Sequence, residues 1–434
     1  MVPLVNATTV SAPVQPTVDS IVLTSGPSGA APSRTAFGTS TPARIRLIST
    51  GTAVLAVLLA VFGWISISSR DQSLDRTGDA AARLISVQEI RSAVIEADSI
   101  ATTSFLVGGL ESADQRARYE ERLATASSSL ALLSNGLSGE SLDQLTSASS
   151  TLEVFSGLVE QARANNRQGF PVGAAYQRQA SALVRDQLLV SLDAIEQQSR
   201  ADVNAEIERA HQIGWVLPVT GVIVIGAMAA GSLWLFRRTR RLINVPVGIA
   251  AVITIVVVGV SLVSMGDAVS TADGVVTGDL LQADRLSQAR VAAFEARSDE
   301  ALTLINRGNG QANEAAYLQA AATAYAILDA RDGRQDLAAG FSAYDDIHNS
   351  IRRQDNDGDW DGAVETLIGE SAESFATFSA DIEDVVQSRA SAAESALDDA
   401  GSGLGTSRLT LIIAALIAAG LVTIGYGQRL KEYR

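Results

Sequence analysis

The sequence predicts an all-α membrane protein with four transmembrane helices and two tandem extracytoplasmic four-helix bundles. Three observations lead to this prediction. Four apolar stretches are each long enough to cross a hydrocarbon core of about 30 Å. The segments 68–212 and 265–407, which follow the first and third stretches, carry apolar residues at helical spacing. The two units of span, bundle and span also share sequence features, which is typical of a duplication.

The predicted spans contain no Asp, Glu, Lys or Arg, and they comprise residues 47–67, 213–236, 242–264 and 409–427. Charged residues inside a span usually mark an ion or proton pathway, so uncharged spans disfavour a transporter or channel. The first stretch is longer than the roughly 7–15 apolar residues of a cleaved signal peptide, which favours an uncleaved anchor. We therefore expect a multi-pass protein of the plasma membrane, with membrane lipids around its spans.

Basic residues at the ends of the spans predict the orientation. Arg44 and Arg46 precede the first span, arginines fill the short connection after the second, and Arg429 and Lys431 follow the fourth. Short basic loops stay in the cytoplasm, so both termini are predicted inside and both bundles outside. The cytoplasmic segments are then the tail 1–45, the linker 237–241 and the stub 428–434.

The cytoplasmic segments offer little with which to catalyse a reaction. The tail 1–45 holds six of the nine prolines and is rich in Ser, Thr and Ala, which predicts disorder. The chain has no cysteine, and it shows no phosphate loop or nucleophile elbow. We therefore expect neither enzymatic activity nor a cofactor.

Each extracytoplasmic segment is predicted to form four helices in up-down-up-down order. In the first segment, Leu84, Val87, Val94, Ala101 and Phe105 form one apolar stripe at three- and four-residue steps. Glycine, asparagine and proline predict breaks between the helices at Gly108-Gly109, at Asn135-Gly136 and from Asn165 to Pro171. The outer helices of each bundle are the longer ones, so each bundle is expected to stand on a two-helix stalk.

The two segments also align with each other. When the second segment is placed on the first, Arg290 and Glu295 meet Arg91 and Glu96. Further along, after a small change of register, Gly358 meets Gly169. The same Arg-x-x-x-x-Glu pattern in the same helix of both units predicts a tandem repeat.

The charge of the outer segments excludes one class of partner. Residues 70–212 carry 20 acidic and 13 basic residues, and residues 265–407 carry 26 acidic and 9 basic residues. Such acidic surfaces repel phosphate backbones, so we expect no binding of nucleic acid.

An acidic turn in the second segment imitates a calcium loop. Asp355, Asp357 and Asp359 alternate as calcium ligands do, but Trp360 stands where the sharp turn needs glycine. We instead expect a polar turn in which Asp359 caps a helix that starts near Trp360. The only two histidines, His211 and His348, belong to different bundles, and no cysteine is present to assist them, so no metal site is predicted.

Two sets of residues are candidates for a functional site. Phe170 and Trp360 lie in equivalent turns at the ends of the bundles farthest from the membrane, where an aromatic residue either anchors a partner protein or packs back onto its own helix. Arg91 with Glu96 and Arg290 with Glu295 either face a small-molecule cleft or form interhelical ion pairs on the bundle surface. The ion pairs are favoured, because residues five apart do not share a helix face.

The whole chain resembles the GlnX-type membrane proteins of actinobacteria. The resemblance rests on the duplicated bundle, the Arg237-Arg-Thr-Arg-Arg241 linker, the Pro/Ser tail, and the stretches Ser73-Leu-Asp-Arg-Thr-Gly78 and Ile90-Arg-Ser-Ala-Val-Ile-Glu96. It implies a transducer that links an extracytoplasmic amino-acid-binding lipoprotein to a cytoplasmic Ser/Thr kinase, protein kinase G. The implied signal is glutamate, aspartate or glutamine, and the implied role is in nitrogen and central carbon metabolism.

A second function from another class stays open. The same architecture suits a scaffold or assembly protein of the cell envelope that does not respond to any ligand. A homo-oligomer is also compatible with the sequence.

Overall fold

The protein is described by a computed structural model that covers residues 41–107, 111–169, 171–239, 244–329 and 335–431. Twelve α-helices are present in these ranges. The first half contains α1 (Thr41–Leu106), α2 (Ala113–Leu133), α3 (Glu140–Arg167), α4 (Val172–Leu183), α5 (Leu189–Gln212) and α6 (Val216–Thr239). The second half contains α7 (Val245–Val275), α8 (Leu281–Ile305), α9 (Gln311–Leu328), α10 (Gln335–Asn356), α11 (Trp360–Thr366) and α12 (Ala372–Lys431). No β-strand occurs in the described residues.

Four helical segments are long and apolar enough to cross a membrane: Ala43–Leu106, Val172–Arg237, Val245–Ile305 and Trp360–Gln428. The first, second and fourth segments contain the predicted spans whole, and the third contains the predicted span 242–264 from Val245 onward. Large apolar side chains such as Leu47, Val222, Val263 and Leu416 are exposed along these stretches, as expected for surfaces that face lipid. The four helices indicate a multi-pass membrane protein.

The helices reach beyond the predicted ends of the spans. α1 begins at Thr41, with Pro42 in its first turn where proline is tolerated, so the last five residues assigned to the tail are helical. α6 continues to Thr239 and α12 to Lys431, because nothing in these basic ends breaks a helix. α7 starts at Val245, three residues later than predicted, again with a proline in its first turn. The predictions for residues 1–40, the rest of the linker and the Gly108-Gly109 turn lie outside the described residues.

The helices that contain the spans continue well beyond them. α1 has 66 residues and α12 has 60, which at 1.5 Å per residue corresponds to about 100 and 90 Å. Three π-helical turns interrupt three of the four long segments without ending them: Val184–Leu188, Val276–Leu280 and Leu367–Ser371. π-helical turns of this kind are frequent at functional sites.

The sharp breaks follow the local turn chemistry. Residues Ser134–Gly136 form a 3-10 turn between α2 and α3. Gly169 and Gly358 have φ values of 70° and 84°, a left-handed conformation that glycine adopts without strain. The prediction for the acidic turn is confirmed, because the Asp359 side chain accepts a hydrogen bond from the backbone N–H of Gly362 as the N-cap of α11.

The two halves pack against each other along their whole length. α1 lies against α8 and α12, and α6 lies against α7. Outside the spans, one apolar core contains residues of both halves, including Val94, Phe155, Phe294 and Phe378. The parts of the two halves that lie beyond the spans therefore share a core, which the sequence did not predict.

Close packing continues between the spans. A second apolar core contains Leu59, Met228 and Ala418 from three different spans. A Cβ atom at Gly231 would collide with the Tyr426 hydroxyl and lie 3.0 Å from Ile48. Glycine at this position therefore lets α6 approach α1 and α12 closely.

Candidate functional site

The contact between α1 and α8 contains buried polar groups. Asp98 of α1 is fully buried, and its carboxylate accepts hydrogen bonds from Ser181 Oγ at 2.6 Å and Ser298 Oγ at 2.7 Å. Burial raises the pKa of Asp98, against the lowering effect of Arg185 and the two hydroxyls. This carboxyl group thus connects α1 to both α4 and α8.

Ion pairs join the halves above and below Asp98. Arg185 Nη1 lies 2.6 Å from Asp299 Oδ1, and Arg200 Nη2 lies 2.8 Å from Asp284 Oδ1. Asp284 also accepts a hydrogen bond from Gln88. Burial raises the pKa of Asp284, and the nearby Arg200 opposes this rise. Together with Asp98, these groups make the surface between the halves polar at several levels.

A second ionic group in this surface is the charged quartet, which consists of Glu96, Arg122, Arg290 and Glu383. Arg290 Nη2 lies 2.9 Å from Glu96 Oε2 and 2.9 Å from Glu383 Oε2. Arg122 Nε lies 3.0 Å from Glu96 Oε1, and Arg122 Nη2 lies 3.3 Å from Glu383 Oε2. Its members come from α1, α2, α8 and α12. The quartet therefore joins α2 and α8 to α1 and α12, the two longest helices.

The quartet is only partly shielded from water. Burial raises the pKa of Glu96 although Arg290 and Arg122 both lower it, and burial lowers the pKa of Arg290 against its two glutamate partners. The Glu383 side chain is 37% exposed. Desolvation of Glu96 and Arg290 therefore offsets part of the Coulombic attraction between them.

A cleft opens beside the quartet between α1, α2, α8 and α12, and we call it the arginine cleft. It has a volume of about 270 Å³. Its charged lining residues are Glu96, Arg118, Arg122, Arg297 and Glu383.

Arg91, Glu96 and Arg290 each form ion pairs with residues of other helices, and Glu96 also lines the arginine cleft. Arg91 Nη1 lies 2.7 Å from Glu196 Oε2 of α5. Arg290 is 6% exposed, so the expectation of a surface position is wrong for this residue. Arg290 is buried because α8 packs against the face of α1 on which Glu96 lies. Glu295 is partly buried, and this burial raises its pKa against the effect of Arg185.

His348 forms a second polar cluster inside the second half. Its ring stacks on Tyr317 at 3.5 Å between centroids, Nδ1 lies 3.0 Å from Glu300 Oε1, and Nε2 lies 3.4 Å from Glu314 Oε1. Burial alone would lower the pKa of His348, but the two glutamates outweigh it and raise the pKa to about 9. This cluster was not predictable from local sequence patterns, because its members come from α8, α9 and α10.

Trp360 packs back onto the protein. Its indole Nε1–H donates a hydrogen bond to the Leu304 carbonyl at 3.0 Å, and the Arg307 guanidinium lies 3.9 Å from the ring centroid. Arg307 has a φ of 37°, in the left-handed region. Part of the indole stays accessible, so the role of Trp360 as a partner anchor remains a prediction. Phe170 lies outside the described residues.

The family model described as Actinobacterial sensor domain matches residues 73–208. This similarity suggests a sensing or signalling role. The match runs from α1 to α5 and therefore includes Glu96, Asp98 and Arg122 of the polar surface between the halves. No curated protein and no solved structure matches the chain. The match supports an actinobacterial sensor protein.

Proposed function

We propose that the protein is a non-enzymatic transmembrane signal transducer. It relays the availability of glutamate, aspartate or glutamine from a solute-binding lipoprotein outside the membrane to a cytoplasmic Ser/Thr protein kinase. The observation that carries the proposal is the continuity of α1 and α12 from the spans into the outer part of the protein. The sensor-domain similarity supports the sensing role, and the resemblance to GlnX-type proteins supports the ligand and the partners.

The proposal includes two duplicated span-bundle-span units with both bundles outside. Corresponding structural features support the duplication. Gly169 and its counterpart Gly358 have the same left-handed conformation directly before the last long segment of each half. Arg91 and its counterpart Arg290 each pair with a glutamate of the last long segment of their own half.

In this mechanism the lipoprotein docks on the ends of the bundles that are farthest from the membrane, near Trp360. Docking displaces α2 and α8, and the charged quartet passes this displacement to α1 and α12. Shifts of packed helices by about 1–2 Å are an established way to switch a signalling protein. The cytoplasmic ends of the helices then expose or hide the surface that the kinase binds.

Co-purification tests the docking of the lipoprotein outside the membrane. The full-length protein is isolated from its own membranes with and without glutamate, aspartate or glutamine, and the bound proteins are identified by mass spectrometry. We expect a solute-binding lipoprotein whose recovery changes with one amino acid. Trp360→Ala should reduce that recovery, while Trp215→Ala, the same substitution at the start of the predicted span 213–236, should leave it unchanged. Recovery of envelope proteins alone, unaffected by any amino acid, would support the scaffold function instead.

Deletion of residues 1–40 tests the coupling to the cytoplasmic kinase. This deletion ends before the first residue of α1, so it should leave the helix and lipoprotein recovery intact. We expect a weaker response of the kinase to the amino acid. An unchanged response would remove the tail from the mechanism.

A further inference from the structure

The arginine cleft has an excess of positive charge in a strongly acidic protein. The chain carries a net charge of −15, yet the cleft presents three arginines and two glutamates. Glu96 already binds both Arg122 and Arg290. Arg118 is exposed and has no ionic partner among the described residues. The cleft therefore has a cation available for an anionic ligand.

The walls of the cleft suit a small organic molecule. Its volume of about 270 Å³ is just below the range of about 300–1,000 Å³ that is typical of sites for drug-sized ligands. Phe375 and Ile100 supply apolar surface. Arg297 lies 5.0 Å over the Phe375 ring, which fixes both groups in one wall of the cleft.

Two further features resemble those of binding sites. Thr103 lines the cleft and is 6% exposed, and its hydroxyl has no hydrogen-bond partner in the described part of the chain. Buried hydroxyls are normally paired, so an unpaired one needs an explanation. The π-helical turn Leu367–Ser371 contributes Ile368 to the same cleft.

We propose that the arginine cleft binds a small organic dicarboxylate. One carboxylate pairs with Arg118 and Arg122, the carbon chain lies against Phe375 and Ile100, and the other carboxylate faces Arg297, the third arginine of the cleft. The ligand then competes with Glu383 for Arg122, which weakens the link between α2 and α12. The proposal goes beyond the transducer function, because it places ligand recognition in this chain itself, whether or not a lipoprotein docks.

Calorimetric titration of the full-length protein in lipid nanodiscs tests the proposal. The probes are succinate, L-aspartate and L-glutamate, with succinamide as the uncharged control and sulfate as the inorganic control. We expect saturable binding of a dicarboxylate and none of succinamide. Arg118→Gln should weaken binding about tenfold, since one charge-assisted contact is lost. Arg116→Gln removes the same charge from the same helix, but its side chain pairs with Glu120 and Glu160 outside the cleft. This control should bind normally.

The choice of probes separates the possible results. Binding of aspartate without succinate supports the site and adds that a ligand ammonium is recognised, with Glu383 as the nearby carboxylate. No saturable binding of any dicarboxylate up to about 10 mM overturns the proposal. Equal weakening by Arg118→Gln and Arg116→Gln, or equally strong binding of sulfate, also overturns it. Arg118 is exposed, so an unchanged unfolding temperature should show that its variant is folded. Lipoprotein recovery is measured separately, so either proposal can fail alone.

Discussion

Arg290 holds the charged quartet together, and its replacement by glutamine should destabilise the outer part of the protein. Arg290→Gln removes both 2.9 Å contacts, to Glu96 and to Glu383. Removing one partner of a buried ion pair typically costs about 3–5 kcal/mol, because the other charge stays buried and unpaired. Glu96 keeps Arg122 at 3.0 Å, and Glu383 can hydrate, so we expect the lower end, about 3 kcal/mol.

Thermal unfolding of the purified protein, followed by circular dichroism, measures this effect. At an unfolding entropy of about 2.1 cal/mol/K per residue, each kcal/mol lowers the unfolding temperature of a chain of 434 residues by about 1 °C, so a loss of about 3 °C is expected. Arg285→Gln is the matched control, because Arg285 is an exposed arginine of the same helix. It should change the unfolding temperature by about 1 °C or less, as surface substitutions usually do.

A double-mutant cycle tests the cause. Glu96→Gln removes the buried carboxylate that Arg290 neutralises. The double variant should therefore be less destabilised than the sum of the two single variants, with a coupling energy of about 1–3 kcal/mol. The reasoning fails if Arg290→Gln behaves like Arg285→Gln, or if the effects of the two quartet substitutions simply add.

Three further predictions concern other parts of the protein. His348 has a pKa raised from 6.5 to about 9, so its stabilising contribution is complete below pH 6.5 and is lost as the pH rises through 9. His348→Gln should therefore flatten the decline of the unfolding temperature across that range, and an unchanged slope would contradict the assignment. Trp360→Phe removes the indole hydrogen bond but keeps a ring, and it should cost about 1 kcal/mol in thermal unfolding. The chain has no cysteine, so Ser128→Cys and Gln428→Cys can each be labelled singly. An impermeant maleimide added to intact cells should label position 128 only, and labelling of position 428 would reverse the predicted topology.

Local signals made part of the fold predictable. A span depends on its own apolar residues, and a turn on residues such as the Asn-Gly pair at 135–136 or the cap Asp359. These features depend on neighbours within one helical turn. The ends of the spans were less predictable, because basic residues such as Arg429 continue a helix as readily as they leave the membrane.

The polar surface between the halves depends on residues that are far apart in the chain, such as Arg91 with Glu196 and Glu96 with Arg290. The sequence did contain a signal for it. The apolar stripe of α1 passes from Val87 to Val94 and from Val94 to Ala101 in steps of seven. The positions between them that complete a three- and four-residue pattern are Arg91 and Asp98. Charged residues in the middle of a buried stripe predict a polar contact, although they do not identify the partner.

The position of the quartet suggests how a displacement reaches the membrane. Its carboxylates lie on α1 and α12, and at 1.5 Å per residue each is about 40 Å from the predicted span of its own helix. No π-helical or 3-10 turn lies between either carboxylate and its span. α5 and α8 differ from α1 and α12 in this respect. A 3-10 turn at Ile213–Trp215 follows α5, and a π-helical turn at Val276–Leu280 precedes α8, each on the side that leads to the predicted span.

A helix without such turns transmits a shift along its axis, whereas an irregular turn can absorb part of it. We therefore expect α1 and α12 to move as rods when the pairing of Glu96 and Glu383 changes, and α5 and α8 to respond less at the membrane. Arg122 lies on α2 and Arg290 lies on α8. We expect that a change in which glutamate each arginine binds shifts α1 and α12 relative to the rest of the protein. In the proposed mechanism, an apolar contact of equal stability could not replace the buried charges, because it has no ion-pair partners to exchange.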